Sequence, residues 1–177
     1  MGARDHHVRA ERRRHARGLL QASEGLVVTW SERLAELGIE LPPVVPPLAA
    51  YVPAVQTGSL VYTSGQLPLV SGELTSTGKV GAEVTAEEAT AAARICALNA
   101  LAAINSLVGV DSIKRVVKAV GFVASAPGFT GQPGVVNGAS DVIGEIFGDA
   151  GKHARSAVGV AELPLNAPVE VELIVEV

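Results

Sequence analysis

The closing stretch PVEVELIVEV, Pro168 to Val177, alternates without a break. Val169, Val171, Leu173, Val175 and Val177 fall on one side of an extended chain, and Glu170, Glu172, Ile174 and Glu176 on the other. The segment therefore predicts a strand with one face against helices and a second face without them. Three carboxylates suit a solvated second face. Ile174 and the small apolar residues of the preceding segment share that face, however, and an oligomer would cover them. That preceding segment, HARSAVGVAEL (153–163), reads as another strand: Val158 and Val160 favour a pleated backbone, and Leu163-Pro164 marks its end or an edge.

Working further back, VVNGASDVIGEIFG (135–148) reads as a helix stopped at Gly148, with the glycine-proline loop SAPGFTGQPG (125–134) before it. IKRVVKAVGFVA (113–124) has the alternation and β-branching of a strand, entered through a turn at Asp111 and Ser112. The long alanine-rich segment from Thr85 to Gly109 is a helix opened by a capping box of Thr85 and Glu88. The loop VSGELTSTGKVG (70–81) precedes it. AVQTGSLVYTSGQLPL (54–69) is divided at Gly58 into two short pieces that form a hairpin. The order β-β-α-β-α-β-β implies an α+β domain, its sheet backed by two helices. Upstream, Ser31 can cap a short helix, SERLAEL, ended by Gly38, and LPPVVPPLAAY (41–51) is too proline-rich to be helical and should run extended over the surface.

The 177 residues suffice for one domain with a real core, and 48% hydrophobic against 3% aromatic residues means a core of Val, Ala, Leu and Ile. So few aromatics leave little for stacking nucleic-acid bases. No apolar run looks long enough to span a bilayer and the N-terminus lacks a secretory apolar segment, so a cytoplasmic protein is expected. The lone Cys96, among alanines on a helical run, is expected to be a buried structural thiol, and no cluster with metal-ligand spacing or cofactor motif occurs. The charge of −4 is uneven. Residues 1–18 carry six arginines against Asp5 and Glu11, +4 in all, leaving −8 for the rest. Residues 1–27 are thus a nucleic-acid arm, a solvated tail or an extension upstream of a natural start near Val28, with the domain over 28–177: an N-terminal helix and connection (28–50) and a core (51–177). The acidic remainder disfavours a nucleic-acid partner.

Arg155 opens an otherwise small, apolar strand. A guanidinium keeps its charge, and its planar fork favours carboxylate or phosphate, so the chain or a ligand must supply the partner. At this point YTSGQLPL, the Asn of VVNGAS, HARSAVGVAELPL and PVEVELIVEV, in that order from Tyr51 to Val177, make the chain resemble the RidA/YjgF family, also called the liver perchloric-acid-soluble protein family. The resemblance implies a chorismate-mutase-like fold and a homotrimeric barrel with clefts between subunits. It also implies hydrolytic deamination of reactive 2-enamine and 2-imine carboxylates, such as 2-aminoacrylate, to 2-oxo acids and ammonia, with no cofactor and no metal. By motif position Arg155 binds the substrate carboxylate and Glu170 handles the water, while Tyr51, Ser64, Gly65 and Asn137 occupy pocket positions. Ser64 and Gly65 can act through backbone groups, Asn137 can be a helix-start residue, and His153 shares the face of Arg155 as a surface or interface residue. Ala49-Ala50, Pro53 and Ala157 depart from the family pattern and leave the substrate open, and the helix before the core exceeds the minimal domain. Two other functions stand beside deamination: a non-catalytic trimer binding small carboxylates, which needs Arg155 and not Glu170, and a ribonuclease acting on single-stranded RNA, for which the acidic core is poorly suited.

Overall fold

The computed structural model describes residues 27–44 and 50–177. All but the last residue of the arm read over 1–27 lies outside them, as does the middle of the proline-rich connection, of which 41–44 are neither helix nor strand. The elements are α1 (Trp30–Glu36), β1 (Ala54–Thr57), β2 (Leu60–Thr63), β3 (Leu69–Val70), β4 (Glu73–Leu74), α2 (Ala86–Val108), β5 (Arg115–Ala124), α3 (Gln132–Phe147), β6 (Ala154–Val160) and β7 (Val169–Glu176). Short 3-10 turns follow α2, α3 and β6. Five strands form one sheet in the order β1-β2-β7-β5-β6, in which only the β5–β6 pair is parallel.

β7 runs through the middle of this sheet with the two faces its alternation predicts. Val169, Val171, Leu173 and Val175 are buried on the side covered by α2, while Glu170, Glu172, Ile174 and Glu176 look out from the uncovered side. Register carries this division across the sheet: Glu170 lies opposite Phe122, which in turn lies opposite Val158. With Val55, Tyr62 and Val120, these side chains make the uncovered face a mixture of apolar groups and carboxylates.

The core between sheet and helices is aliphatic, as composition implies, with Phe147 as its one fully buried aromatic ring among the described residues. Helix α2 starts at the Thr85–Glu88 capping box, both hydrogen bonds of which form. One expectation needs correction here: α2, at 23 residues, is long and apolar enough by composition to cross a membrane. Its apolar residues are instead those of a core helix, with Ala93, Cys96, Ala97, Ala100, Leu101 and Ile104 buried against sheet and α3. Cys96 is a buried thiol whose Sγ reaches the Val169 carbonyl at 3.6 Å, and burial, with the nearby Glu170 charge, pushes it well above the usual thiol range. Helix α3 crosses α2 so closely that a Cβ on Gly138 would lie 1.9 Å from the Thr90 carbonyl oxygen.

Three local readings differ from the observed structure. Thr29, not Ser31, caps α1, through a capping box with Glu32. Ser31 is one residue inside the helix, where its amide (2.8 Å) and hydroxyl (2.6 Å) both donate to Asp111, holding the Asp111 carboxyl below its usual range. Helix α3 begins at Gln132 with a proline in its first turn, three residues before the predicted start. The loop after β2 contains the small β3–β4 hairpin, turned at Ser71 and Gly72, which both take positive φ. Gly38, also at positive φ, does end α1 as expected. Trp30 ties that helix to the core, its Nε1 donating to the Ile113 carbonyl (2.8 Å) and its ring meeting Phe147 edge-on at 5.1 Å.

Candidate active site

Arg155 is the second residue of β6, paired with Ala119, and so lies on the helix side of the sheet, where α3 runs beside the edge strand. Its guanidinium is held by α3 alone. Nη1 donates to Asn137 Oδ1 (2.8 Å) and to Ser140 Oγ (3.2 Å), and Nη2 to the Pro133 carbonyl (3.3 Å). All three acceptors are neutral oxygens, and none of the ion pairs among the described residues includes Arg155. The guanidinium is therefore oriented but not neutralised, and its charge remains available to an anion. It faces an open groove of about 680 Å³, lined also by Asn137, Ser140, Gly144, Lys152 and His153.

Asn137 is not a helix-start residue. It is the sixth residue of α3, turned toward β6. Pro133, Asn137 and Ser140 are spaced four and three apart and hence share one face of the helix. The same spacing, read along the sequence, would have found Ser140, which was not among the expected site residues. His153, immediately before β6, is part of the arrangement. Its Nε2 lies 2.9 Å from Ser140 Oγ and its Nδ1 2.6 Å from the Gly151 carbonyl oxygen.

The other expected residues gather elsewhere. Ser64 follows β2; its hydroxyl donates to the Val52 carbonyl (2.6 Å) and its amide to the Pro53 carbonyl (2.8 Å), which brings the segment carrying Tyr51 to the end of β2. The Tyr51 ring is exposed there. Gly65 comes next, and the carboxylate of Glu170 occupies the space a side chain at Gly65 would fill. Glu170 is half-buried. Burial, and then the neighbouring charge of Glu172, raises its carboxyl above the usual range, which favours a group that can hold or release a proton.

Two half-sites result. Arg155, Asn137, Ser140 and His153 stand on the helix side of the sheet near one edge, and Tyr51, Ser64, Gly65 and Glu170 on its uncovered side toward the other. Within one chain, Arg155 and Glu170 are separated by β5 and by the thickness of the sheet.

Known proteins resemble this chain over most of its length. It is 48% identical over 145 residues to Protein TCP17 of Trypanosoma cruzi, covering 81% of this chain and 91% of that one. It is 36% identical over 132 residues to a 2-iminobutanoate/2-iminopropanoate deaminase of Dermatophagoides farinae, covering 73% and 87%. The crystal structure of the protein Atu1372 from Agrobacterium tumefaciens, of unknown function, superposes with a TM-score of 0.77 at 48% identity, over 84% of this chain and 92% of that one. Residues 31–177, from the second residue of α1 to the end of the chain, match the family described as "YjgF/chorismate_mutase-like, putative endoribonuclease". With its fold, its strand arginine and these relatives in agreement, the chain belongs to the RidA/YjgF family.

Proposed function

We propose that this protein hydrolyses reactive 2-enamine and 2-imine carboxylates to 2-oxo acids and ammonia, in a cleft completed by a second copy of the chain. The observation that carries the reading is Arg155: a permanent cation held by neutral oxygens beside an open groove. A substrate carboxylate supplies the missing charge and accepts from the fork in a fixed direction. The activity named for the Dermatophagoides farinae relative fits this clamp.

Because Arg155 and Glu170 face opposite ways, one chain offers each half-site without its complement. A homotrimer that covers the mixed apolar and acidic face would bring Glu170, Gly65, Ser64 and Tyr51 of one copy toward Arg155 and Asn137 of the next. In the reaction, water adds across the C=N bond, its oxygen to C2 and a proton to nitrogen. The new hydroxyl loses its proton as the C–N bond breaks, a proton reaches nitrogen, and ammonia departs with the bonding pair, leaving the 2-oxo acid. An enamine enters after its proton shifts from nitrogen to C3. Glu170, with its raised affinity for a proton, is assigned the transfers, and the clamp supplies orientation.

The separation of the half-sites also favours one other reading, a small-carboxylate binder that uses Arg155 and never Glu170. A ribonuclease is less favoured, because Glu170, Glu172 and Glu176 on the uncovered face repel a phosphate backbone. Mixing catalytic amounts of protein with freshly generated 2-aminoacrylate, and following loss of the imine with release of ammonia, tests the proposal. Acceleration over the protein-free rate is expected, together with a trimer in sedimentation equilibrium. A 2-oxo acid bound without acceleration would leave the binder, and a monomer at micromolar concentration would remove the shared cleft.

A further inference from the structure

We infer that His153 is a positioning residue: through Ser140 it dictates which way the hydroxyl beside Arg155 points, and so holds the guanidinium in its clamping orientation. The inference rests on the reading of Arg155 as a carboxylate clamp and adds to it a residue that acts through Ser140.

The direction of each bond follows from donor and acceptor chemistry. The Gly151 carbonyl can only accept, so His153 Nδ1, 2.6 Å away, must carry a proton. In the neutral ring Nε2 is then an acceptor, and the hydroxyl of Ser140 at 2.9 Å is the donor beside it. With its single proton committed to His153, Ser140 Oγ offers lone pairs to Arg155 Nη1 at 3.2 Å. The chain of donation runs from Arg155 to Ser140, to His153, to the backbone of Gly151.

Without the imidazole, Ser140 has a competing choice. A serine within a helix readily donates to the carbonyl four residues back, as Thr90 does to Ala86 in α2 at 2.7 Å. Ser140 makes no such bond here, and its proton goes to His153. Redirected to the helix backbone, the hydroxyl would present a different lone-pair direction, and Nη1 would be left with Asn137 alone.

Two measurements test this. Long-range proton–nitrogen NMR on the full chain at mildly alkaline pH, with the His153 signals identified by their loss in His153→Gln, should find Nδ1 protonated and Nε2 bare. A proton on Nε2, alone or with one on Nδ1, overturns the inference whatever the protein's activity. Calorimetric titration with 2-oxobutanoate then reads the clamp. His153→Asn keeps a donor near the Gly151 carbonyl but cannot reach Ser140, while His153→Gln places an acceptor near the position of Nε2. Ser140→Ala and His153→Asn should each raise Kd about five- to tenfold, and His153→Gln should restore most of the loss. Wild-type Kd in both Ser140→Ala and His153→Asn, alongside lost binding in Arg155→Ala, overturns the inference and leaves the clamp intact. Undiminished binding in Arg155→Ala overturns both.

Discussion

Replacing Gly65 by alanine should disable Glu170 without touching it. A methyl group at Gly65 would lie 1.9 Å from Glu170 Oε1, 2.8 Å from its Cδ and 3.1 Å from its Cγ, whereas ordinary contact begins at 3.4 Å. The carboxylate oxygen must therefore withdraw by about 1.5 Å. The obstacle is the tip of a flexible side chain, and Gly65 is not at positive φ, so an alanine backbone is unstrained. Moving Glu170 off its preferred rotamer costs about 0.5–1.5 kcal/mol, a fall of a few degrees in Tm for a chain of this size. Displacing a reacting group by about 1 Å costs about 100-fold in rate. Gly65→Ala is thus expected to lower kcat for imine hydrolysis by about two orders of magnitude while KM, set by the clamp, changes little. Initial rates of imine loss and a thermal melt on the same preparation measure both. Adding the change to Glu170→Gln should have little further effect, since both act on one group. Full kcat in a Gly65→Ala protein with near-native Tm would refute the assignment of Glu170 to the water.

Other substitutions separate charge, geometry and packing. Arg155→Lys keeps the cation and loses the fork, and calorimetry should find 2-oxobutanoate bound about tenfold more weakly, with binding lost in Arg155→Ala. Glu170 holds its proton more tightly in the folded chain than in the unfolded one, so its contribution to stability falls as pH rises from the ordinary glutamate pKa, about 4.3, through the raised folded value. Glu170→Gln removes that loss. Its Tm relative to wild type should increase across this window and then level off, and a pH-independent difference would contradict the raised value. Gly138→Ala also places a methyl group 1.9 Å from an oxygen, but here it is the backbone carbonyl of Thr90. Neither helix can yield cheaply, so melting should show a loss of about 2–3 kcal/mol.

The elements most legible in the sequence were those whose determinants are local. The Thr85–Glu88 box names the start of α2, Gly58 divides β1 from β2, and the alternation of β7 announces both faces of the sheet. Where two local signals competed, a long-range partner decided. Thr29 and Ser31 can both cap a helix, but Glu32 stands three residues after Thr29, and Asp111, 80 residues away, claims Ser31. The start of α3 was signalled by Pro133, and the β3–β4 turn by Ser71-Gly72, both inside segments that otherwise read as loops. Arg155, Asn137 and Glu170 could be singled out by residue type and motif. Their division between two sides of the sheet could not, because it depends on the pairing of β6 with β5 and of β5 with β7, and register between distant strands leaves no mark in any one of them.

That division has a consequence for mixtures of damaged chains. In a ring where each cleft takes its arginine half from one copy and its glutamate half from the next, an Arg155→Ala chain retains a sound Glu170, and a Glu170→Gln chain retains a sound Arg155. Each variant alone has every cleft broken. Unfolded together in equal amounts and reassembled, they would draw both intact halves into the same cleft in about one quarter of cases, by random choice of neighbours around a closed ring. Two inactive preparations should thus recover about a quarter of wild-type turnover on co-refolding and none on simple mixing without subunit exchange. In such a ring, a sheet that holds Arg155 and Glu170 back to back would make each chain dependent on its neighbour, and an inherited defect in one half would be masked by a different defect in the other.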